Sequence, residues 1–346
     1  MRDERHTSGI EPSEPLVSVV IPAYNAASTL ESTLHSVLSQ THRNLEVIIV
    51  DDGSRDATSE IAARAASADP RIELVQQPNS GVAEARNNGW RRARSDLIAF
   101  VDADDTWTPD KIARQLAVLQ EGGPGMGLVY SWYAMIDADD RVSWIGLGPR
   151  HNGEVFDILL TDNFVGNGSS ALVRRAALEA VRGFEPALHR AGAQGCEDIL
   201  FYLRVAALYK FGVVEDYQIG YRQLPGAMSS NLPRMFRSWM ITLDEMRRDH
   251  PSKRALIHKG LVGYGRWVTR RAIHKGRWRD VFRLAALAAK ASPVLALNMI
   301  LKIAPEAAWE MLRWRLVPAR PSGDVAQNGS GPSLPYAPGD PFPAIA

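Results

Sequence analysis

Three short apolar runs, each stopped by a polar motif, constrain this chain more than any other feature. Leu16–Ile21 ends at Pro22-Ala23-Tyr24-Asn25, Leu45–Val50 at Asp51-Asp52-Gly53-Ser54, and Leu97–Val101 at Asp102-Ala103-Asp104-Asp105. Runs of this length, rich in β-branched residues, read as buried strands. Helical patterns fill the spaces between them. Leu30, Leu34, Val37 and Leu38 share one helical face behind the capping-box sequence Ser28-Thr-Leu-Glu31, and a further helix is expected over 82–93. Alternating strands and helices with short polar connections predict an α/β fold, a Rossmann-like, mostly parallel sheet flanked by helices. In such sheets ligands sit beyond the carboxyl ends of the strands. The three polar motifs should therefore meet at one site.

The rest of the chain divides by composition. Residues 1–14 are polar and read as a disordered tail, with no apolar stretch of a secretory leader. The one cysteine, Cys196, excludes an internal disulfide and fits a reducing, cytoplasmic setting. Residues 15–230 form the expected α/β unit, including a hairpin of Val129–Ile136 and Val142–Ile145 around Asp137-Ala-Asp-Asp140, and a last strand over Val213–Arg222. Residues 231–317 hold 18 Lys and Arg against 6 Asp and Glu, whereas the remainder holds 22 against 33. This basic helical region contains Trp267, Trp278, Trp309 and Trp314, and its longest stretch without a charged residue is Ala291–Leu301. That is shorter than the roughly 20 residues of a spanning helix. Amphipathic helices lying on an anionic membrane are the expected partner, against the plainer alternative of a bundle packed on the first unit. No recognised motif links the basic charge to nucleic acid. Residues 318–346, rich in Pro, Gly, Ser and Asn, read as a second disordered tail.

Seven motifs occur in one order: VSVVIPAYN (17–25), SVLSQT (36–41), VIIVDDGSRDAT (47–58), GVAEARNNG (81–89), FVDADD (100–105), GCEDILFYLRV (195–205) and YRQLPGAMS (221–229). In these the sequence resembles the inverting family-2 glycosyltransferases, over about residues 16–230. The resemblance implies a GT-A fold and transfer of a sugar from a nucleotide-diphosphate donor, a UDP- or dTDP-sugar, to a hydroxyl of a glycan or lipid-linked acceptor. It also implies a divalent metal, Mn²⁺ or Mg²⁺, and a place in cell-surface polysaccharide synthesis at the inner face of the plasma membrane.

The residue types suit that chemistry. A leaving diphosphate gains charge as the glycosidic bond breaks, which calls for a cation. Hard cations take one or two protein carboxylates plus phosphates and water. Asp102 and Asp104 sit two apart at a strand end, and alternation would point them to the same side. By resemblance Asp104 is the main metal ligand, and Asp102 holds the metal or the donor ribose. The second Asp-rich turn, 137–140, lies in a hairpin and is not expected to bind metal. Asp51 and Asp52 are the implied base-recognition pair. Pro22, Ala23, Tyr24 and Asn25 would line the nucleotide, Arg86 would reach the base or phosphates unless it is a structural strut, and Arg222 would steady the diphosphate beneath a closing loop.

Attack by an acceptor hydroxyl requires one carboxylate as general base. Glu197 and Asp198 open a helix, where the dipole favours charge; their plain alternative is helix capping. The resemblance makes Asp198 the base, with Glu197 orienting the acceptor or the loop. The Gln-x-x-Arg-Trp motif of processive members is missing, which predicts single-sugar transfer. A nucleotidyltransferase would need a basic Gly-rich loop where Pro22-Ala-Tyr-Asn-Ala26 stands, and an inactive scaffold would have lost the carboxylates.

Overall fold

A computed structural model of the chain describes residues 14–224, 228–316 and 337–343. Most of the two expected tails, and the centre of the loop expected to close after Arg222, lie outside the described residues.

Strands β1 (Val17–Ala23) and β2 (Leu45–Asp51) are buried at every position. A strand covered on both faces needs apolar residues on both, so these segments read as unbroken runs and not as alternation. With β3 (Ile72–Gln76) and β4 (Leu97–Phe100) they form a parallel block ordered β3-β2-β1-β4. Helices α1 (Leu30–Leu38), α2 (Thr58–Ala68), α3 (Val82–Arg92) and α4 (Lys111–Glu121) supply the crossovers and cover.

The sheet then changes character. It continues through β8 (Leu172–Arg174), β6 (Met126–Ile136) and β9 (Lys210–Arg222) to β5 (Thr106–Trp107). Strand β8 runs antiparallel to both β4 and β6, β6 and β9 are parallel, and β5 is antiparallel to β9. Strand β7 (Val142–Ile145) closes the expected hairpin with β6. The expected parallel order thus holds for the first four strands and gives way to a mixed arrangement beyond them. Short helices α5 (Phe156–Leu159), α6 (Arg175–Ala180) and α7 (Ala187–Arg190) precede α8 (Glu197–Ala206).

The C-terminal region is helical as expected: α9 (Leu232–Asp249), α10 (Arg254–His274), α11 (Trp278–Ala289), α12 (Pro293–Asn298) and α13 (Ala304–Leu316), with a π-helical turn over Met299–Ile303. It packs against the sheet unit. Met235, Phe236, Trp239, Leu243, Ile257 and Leu261 share one continuous buried cluster with Leu159, Leu160, Ile199 and Leu203. Residues 337–343 depart from the expected tail. Phe342 is buried with Ala134, Ile136 and Val142, and its N–H donates to the Asp140 carbonyl. One bulky apolar side chain in a polar segment is enough to hold it against the hairpin.

Candidate active site

The carboxyl ends of β1 and β4 open into a cleft of about 1190 Å³. Its lining draws on Pro22, Tyr24 and Asn25 after β1, Arg86 of α3, Asp102 and Asp104 after β4, and Glu197 and Asp198 at the start of α8. These residues are far apart in sequence, and the sheet order brings them to one place.

Hydroxyl groups of α1 fix the turn after β4. Thr29 Oγ1 donates to the Ala103 carbonyl at 2.8 Å, and Thr33 Oγ1 to that of Asp105, also at 2.8 Å. The capping box read at Ser28 is not formed: the helix begins at Leu30, and its Thr29 N-cap makes no side-chain capping bond. The hydroxyl is spent on the Asp-rich turn instead. Asp105 is fully buried, accepts from the Arg222 N–H at 3.0 Å and from the Ser169 hydroxyl, and holds that turn from beneath. Burial and the neighbouring charges of Asp104 and Asp102 keep its carboxyl well above the usual range.

Asp102 and Asp104 face the cleft. Asp102 Oδ1 takes a 2.6 Å bond from Arg86 Nη2. For Asp104, burial and the like charge of Asp102 push the pKa up to about 6. Two acids held so close are electrostatically unfinished. A divalent cation would complete them, and two carboxylates match the protein share of a Mg²⁺ or Mn²⁺ site whose other ligands are phosphates and water. Among the described residues no group of three or more His, Cys, Asp or Glu could hold a metal. The second Asp-rich turn is used otherwise: Asp140 pairs with the Arg222 guanidinium.

Arg86 is 2% exposed at the cleft floor. Its burial alone would favour the neutral form, but the surrounding carboxylates of Asp102, Glu197 and Asp198 hold its pKa above the ordinary arginine value. Nη1 stands 3.5 Å from Glu197 Oε1, and both Nε and Nη1 lack a hydrogen-bond partner. The residue is therefore a strut between the two acidic motifs that still has donors to offer a ligand.

Glu197 is buried and accepts from the Gly195 N–H at 2.9 Å, which fixes the loop before α8. Asp198 accepts from the Ile199 N–H at 2.7 Å. Burial, and then the charge of Glu197, push its pKa up to about 7, opposed by Arg86. A carboxylate poised near neutrality at a cleft wall is suited to taking a proton.

Four of the expected donor residues, Ala23, Asp51, Asp52 and Arg222, are placed differently from the others. Asp51 accepts from the Ser54 N–H at 3.0 Å and closes the turn after β2. Asp52 accepts from Gln77 Nε2 at 2.8 Å and from the N–H groups of Ser80 at 2.7 Å and Gly81 at 2.9 Å. Both are buried, and neither they nor Ala23 belong to the cleft lining. A strand-end carboxylate satisfies the nearest unpaired N–H groups first, here those of the loop entering α3. Arg222 lines the cleft but its guanidinium is bound to the carbonyls of Asp104, Asp137 and Ala138 as well as to Asp140. It staples the Asp-rich turn to the hairpin.

Sequence reading missed the far wall altogether. Trp239 of α9 and Tyr264, Trp267 and Arg271 of α10 line the same cleft, with Asn231 and Arg234 at the start of α9. Their spacing shows helices, but nothing local shows which face meets the cleft.

Residues 18–182 match the model of the glycosyl transferase family 2, which spans the first acidic motifs, α3 and the turn after β4. Across that segment the chain has the sequence of this family. A Bacillus subtilis protein described as a putative teichuronic acid biosynthesis glycosyltransferase, TuaG, is 47% identical over 109 residues, 31% of this chain and 43% of that one. The chain spans less than three fifths of the first curated relatives it matches. S. aureus TarS residues 1–349, solved with UDP-GlcNAc, superposes with a TM-score of 0.61 at 17% identity, covering 86% of this chain and 92% of that one. A mannosyltransferase of Pyrobaculum calidifontis, solved with GDP-Man and Mn²⁺, gives 0.56 at 21% identity over 88% and 84%. The chain thus has a GT-A fold with an added C-terminal helical region.

Proposed function

We propose that this protein is an inverting, non-processive glycosyltransferase moving a sugar from a nucleotide diphosphate, a UDP- or dTDP-sugar, to a hydroxyl of a glycan or lipid-linked acceptor. The carrying observation is that Asp198, with a pKa pushed up to about 7, faces the same cleft as Asp102 and Asp104. The relatives support the reading: TuaG is described as acting in teichuronic acid biosynthesis, and TarS and the mannosyltransferase hold nucleotide sugars. Cell-surface polysaccharide synthesis is the setting these names favour.

Asp104 and Asp102 would hold a divalent cation, which when bound supplies positive charge against the leaving diphosphate. Arg86 fixes Asp102 and offers its remaining donors to the nucleotide, while Pro22, Tyr24 and Asn25 line its place. Asp198 takes the proton of the acceptor hydroxyl as that oxygen bonds to the anomeric carbon from the side opposite the diphosphate. The bond to the diphosphate breaks in the same displacement, so the configuration inverts. Glu197 positions the loop that carries the base. An Asp198→Asn variant should lower kcat by about 10²- to 10⁴-fold, the usual worth of a general base, and leave UDP affinity with Mn²⁺ unchanged by calorimetry. Normal transfer by that variant sinks the assignment.

Contact with the cytoplasmic leaflet is part of the same reading. No helix of the described residues is long and apolar enough to cross a membrane. Yet Val294, Leu297, Leu301, Trp309 and Leu312 are all exposed, at spacings that follow one face of the segment from α12 through α13. Phe282 on α11 is 63% exposed, and Arg279, Lys290, Lys302 and Arg313 stand exposed nearby in the sequence. Apolar side chains among basic ones match an anionic bilayer surface. Trp278 is also exposed; the side chain of Trp314 lies outside the described residues. The chain should co-sediment with vesicles containing phosphatidylglycerol and not with pure phosphatidylcholine, and a Leu301→Glu, Trp309→Glu double variant should stay in the supernatant. Equal sedimentation of variant and parent removes this part of the proposal.

A further inference from the structure

The cleft is larger than one ligand requires. Pockets for a single drug-sized molecule run to roughly 300–1,000 Å³, and this one reaches about 1190 Å³. The residues read as binding the nucleotide come from the sheet unit. The remaining lining includes a wall built from α9 and α10.

That wall has a definite chemistry. Trp239, Tyr264 and Trp267 form a chain of rings, with centroids 5.2 Å apart at each step. The Arg271 guanidinium lies over the Trp267 ring, 5.1 Å from its centroid. Trp267 is 41% exposed, so an open aromatic surface continues to the solvent side of the cleft. Arg271 and the exposed Arg234 have no carboxylate within ion-pair distance among the described residues, and Arg234 meets only Gln194 Oε1 at 3.4 Å. Asp162 lines the same mouth across from α10 and forms no ion pair with either arginine. Two cations without an ion-pair partner among the described residues therefore line the cleft on this side.

The base is attached to this wall. Cys196 Sγ, two residues before Asp198, contacts the Met235 carbonyl at 3.4 Å and the Tyr264 hydroxyl at 3.8 Å. Glu197, between them, turns towards Arg86. The start of α8 therefore has the nucleotide-lining residues on one side and the aromatic wall on the other.

We infer that α9 and α10 form the acceptor subsite, and that Arg271 and Arg234 select an acceptor sugar bearing an acidic group, a carboxylate or a phosphate, beside the ring that stacks on Trp267. This rests on the transferase reading above. Aromatic faces take the apolar face of a pyranose, and arginine forks pair with planar or tetrahedral acids. None of these residues falls in the segment 18–182 that defines the family.

The test uses the full chain saturated with UDP and Mn²⁺, and in parallel without them. Binding of methyl β-D-glucuronide, D-glucose 6-phosphate and methyl β-D-glucoside is followed by saturation-transfer NMR titration. At least one of the two acidic sugars should bind at least tenfold more tightly than the neutral glucoside; which one distinguishes carboxylate from phosphate. Arg271→Met and Arg234→Met should each weaken that binding, their combination by about 10- to 100-fold, the range expected for a charged hydrogen bond. Arg271→Lys should restore part of it, and Trp267→Ala should weaken all three sugars. UDP affinity should stay unchanged throughout. Equal affinity for the neutral sugar, no binding of any sugar, or an acid preference that survives the double variant overturns the subsite. Failure of UDP to bind the parent chain while the acidic sugar still binds overturns the donor reading instead.

Discussion

Asp198 shows how a single side chain acquires a task from its surroundings. An ordinary aspartate, with a pKa near 4, is a weak proton acceptor at neutral pH. Here burial and the adjacent Glu197 push it up to about 7, against the opposing effects of Arg86 and the Ile199 N–H. Transfer needs the ionised form, so kcat/KM should fall close to tenfold per unit on the acid side of about pH 7 and level off above it. Glu197→Gln removes a like charge and should move that limb to lower pH in the same rate profile; an unmoved limb would mean another group controls it. The same scale explains which residues could be read in advance. Asp102, Asp104 and Asp198 stand in motifs legible in the sequence, and the cleft contains them. Asp52 and Arg222 have equally suggestive motifs, but their partners come from loops elsewhere in the chain: Gln77 and Ser80 for Asp52, and the 137–140 turn for Arg222. No local pattern announces those bonds.

Among the elements, β1, β2 and β4 were legible because strands covered on both faces must be apolar throughout. A strand and a helix are also legible after the Gly- and Ser-rich loop within 163–184, where β8 and α6 stand, but three residues do not show the antiparallel insertion of β8, which turns the sheet from parallel to mixed. Helix α10 depends on one close approach. A Cβ on Gly260 would stand 1.9 Å from the Leu160 carbonyl oxygen, so α10 can lie against the end of α5 only because that side chain is absent. Gly260→Ala should cost about 1–3 kcal/mol of stability, the usual range for overpacking, and should disturb sugar binding at Trp267 as well. Gly263→Ala, one turn on, meets nothing within 4 Å and serves as the control. Urea unfolding of the two variants checks the difference, and equal midpoints would show that α10 can shift freely.

For the whole molecule, the raised acids have a thermodynamic cost. The folded chain binds protons at Asp104 and Asp198 that the unfolded chain releases, so between about pH 4 and 7 stability should decline as pH rises. A divalent cation bound as proposed would replace the proton at Asp104. Mn²⁺ should therefore raise the melting temperature more at pH 7.5 than at pH 5, and Asp104→Asn should abolish the gain; an equal gain at both pH values would place the ion elsewhere. The basic region, set apart in the sequence by its charge, shares its core with the sheet unit, because its helices are apolar on the faces that meet α5 and α8. One consequence follows from the way Cys196 leans on Tyr264 and Met235. A replacement of α9 and α10 by the corresponding helices of a relative would do more than exchange one acceptor preference for another. It would also alter the packing beneath the base, so that new selectivity and the timing of proton removal would be inherited together.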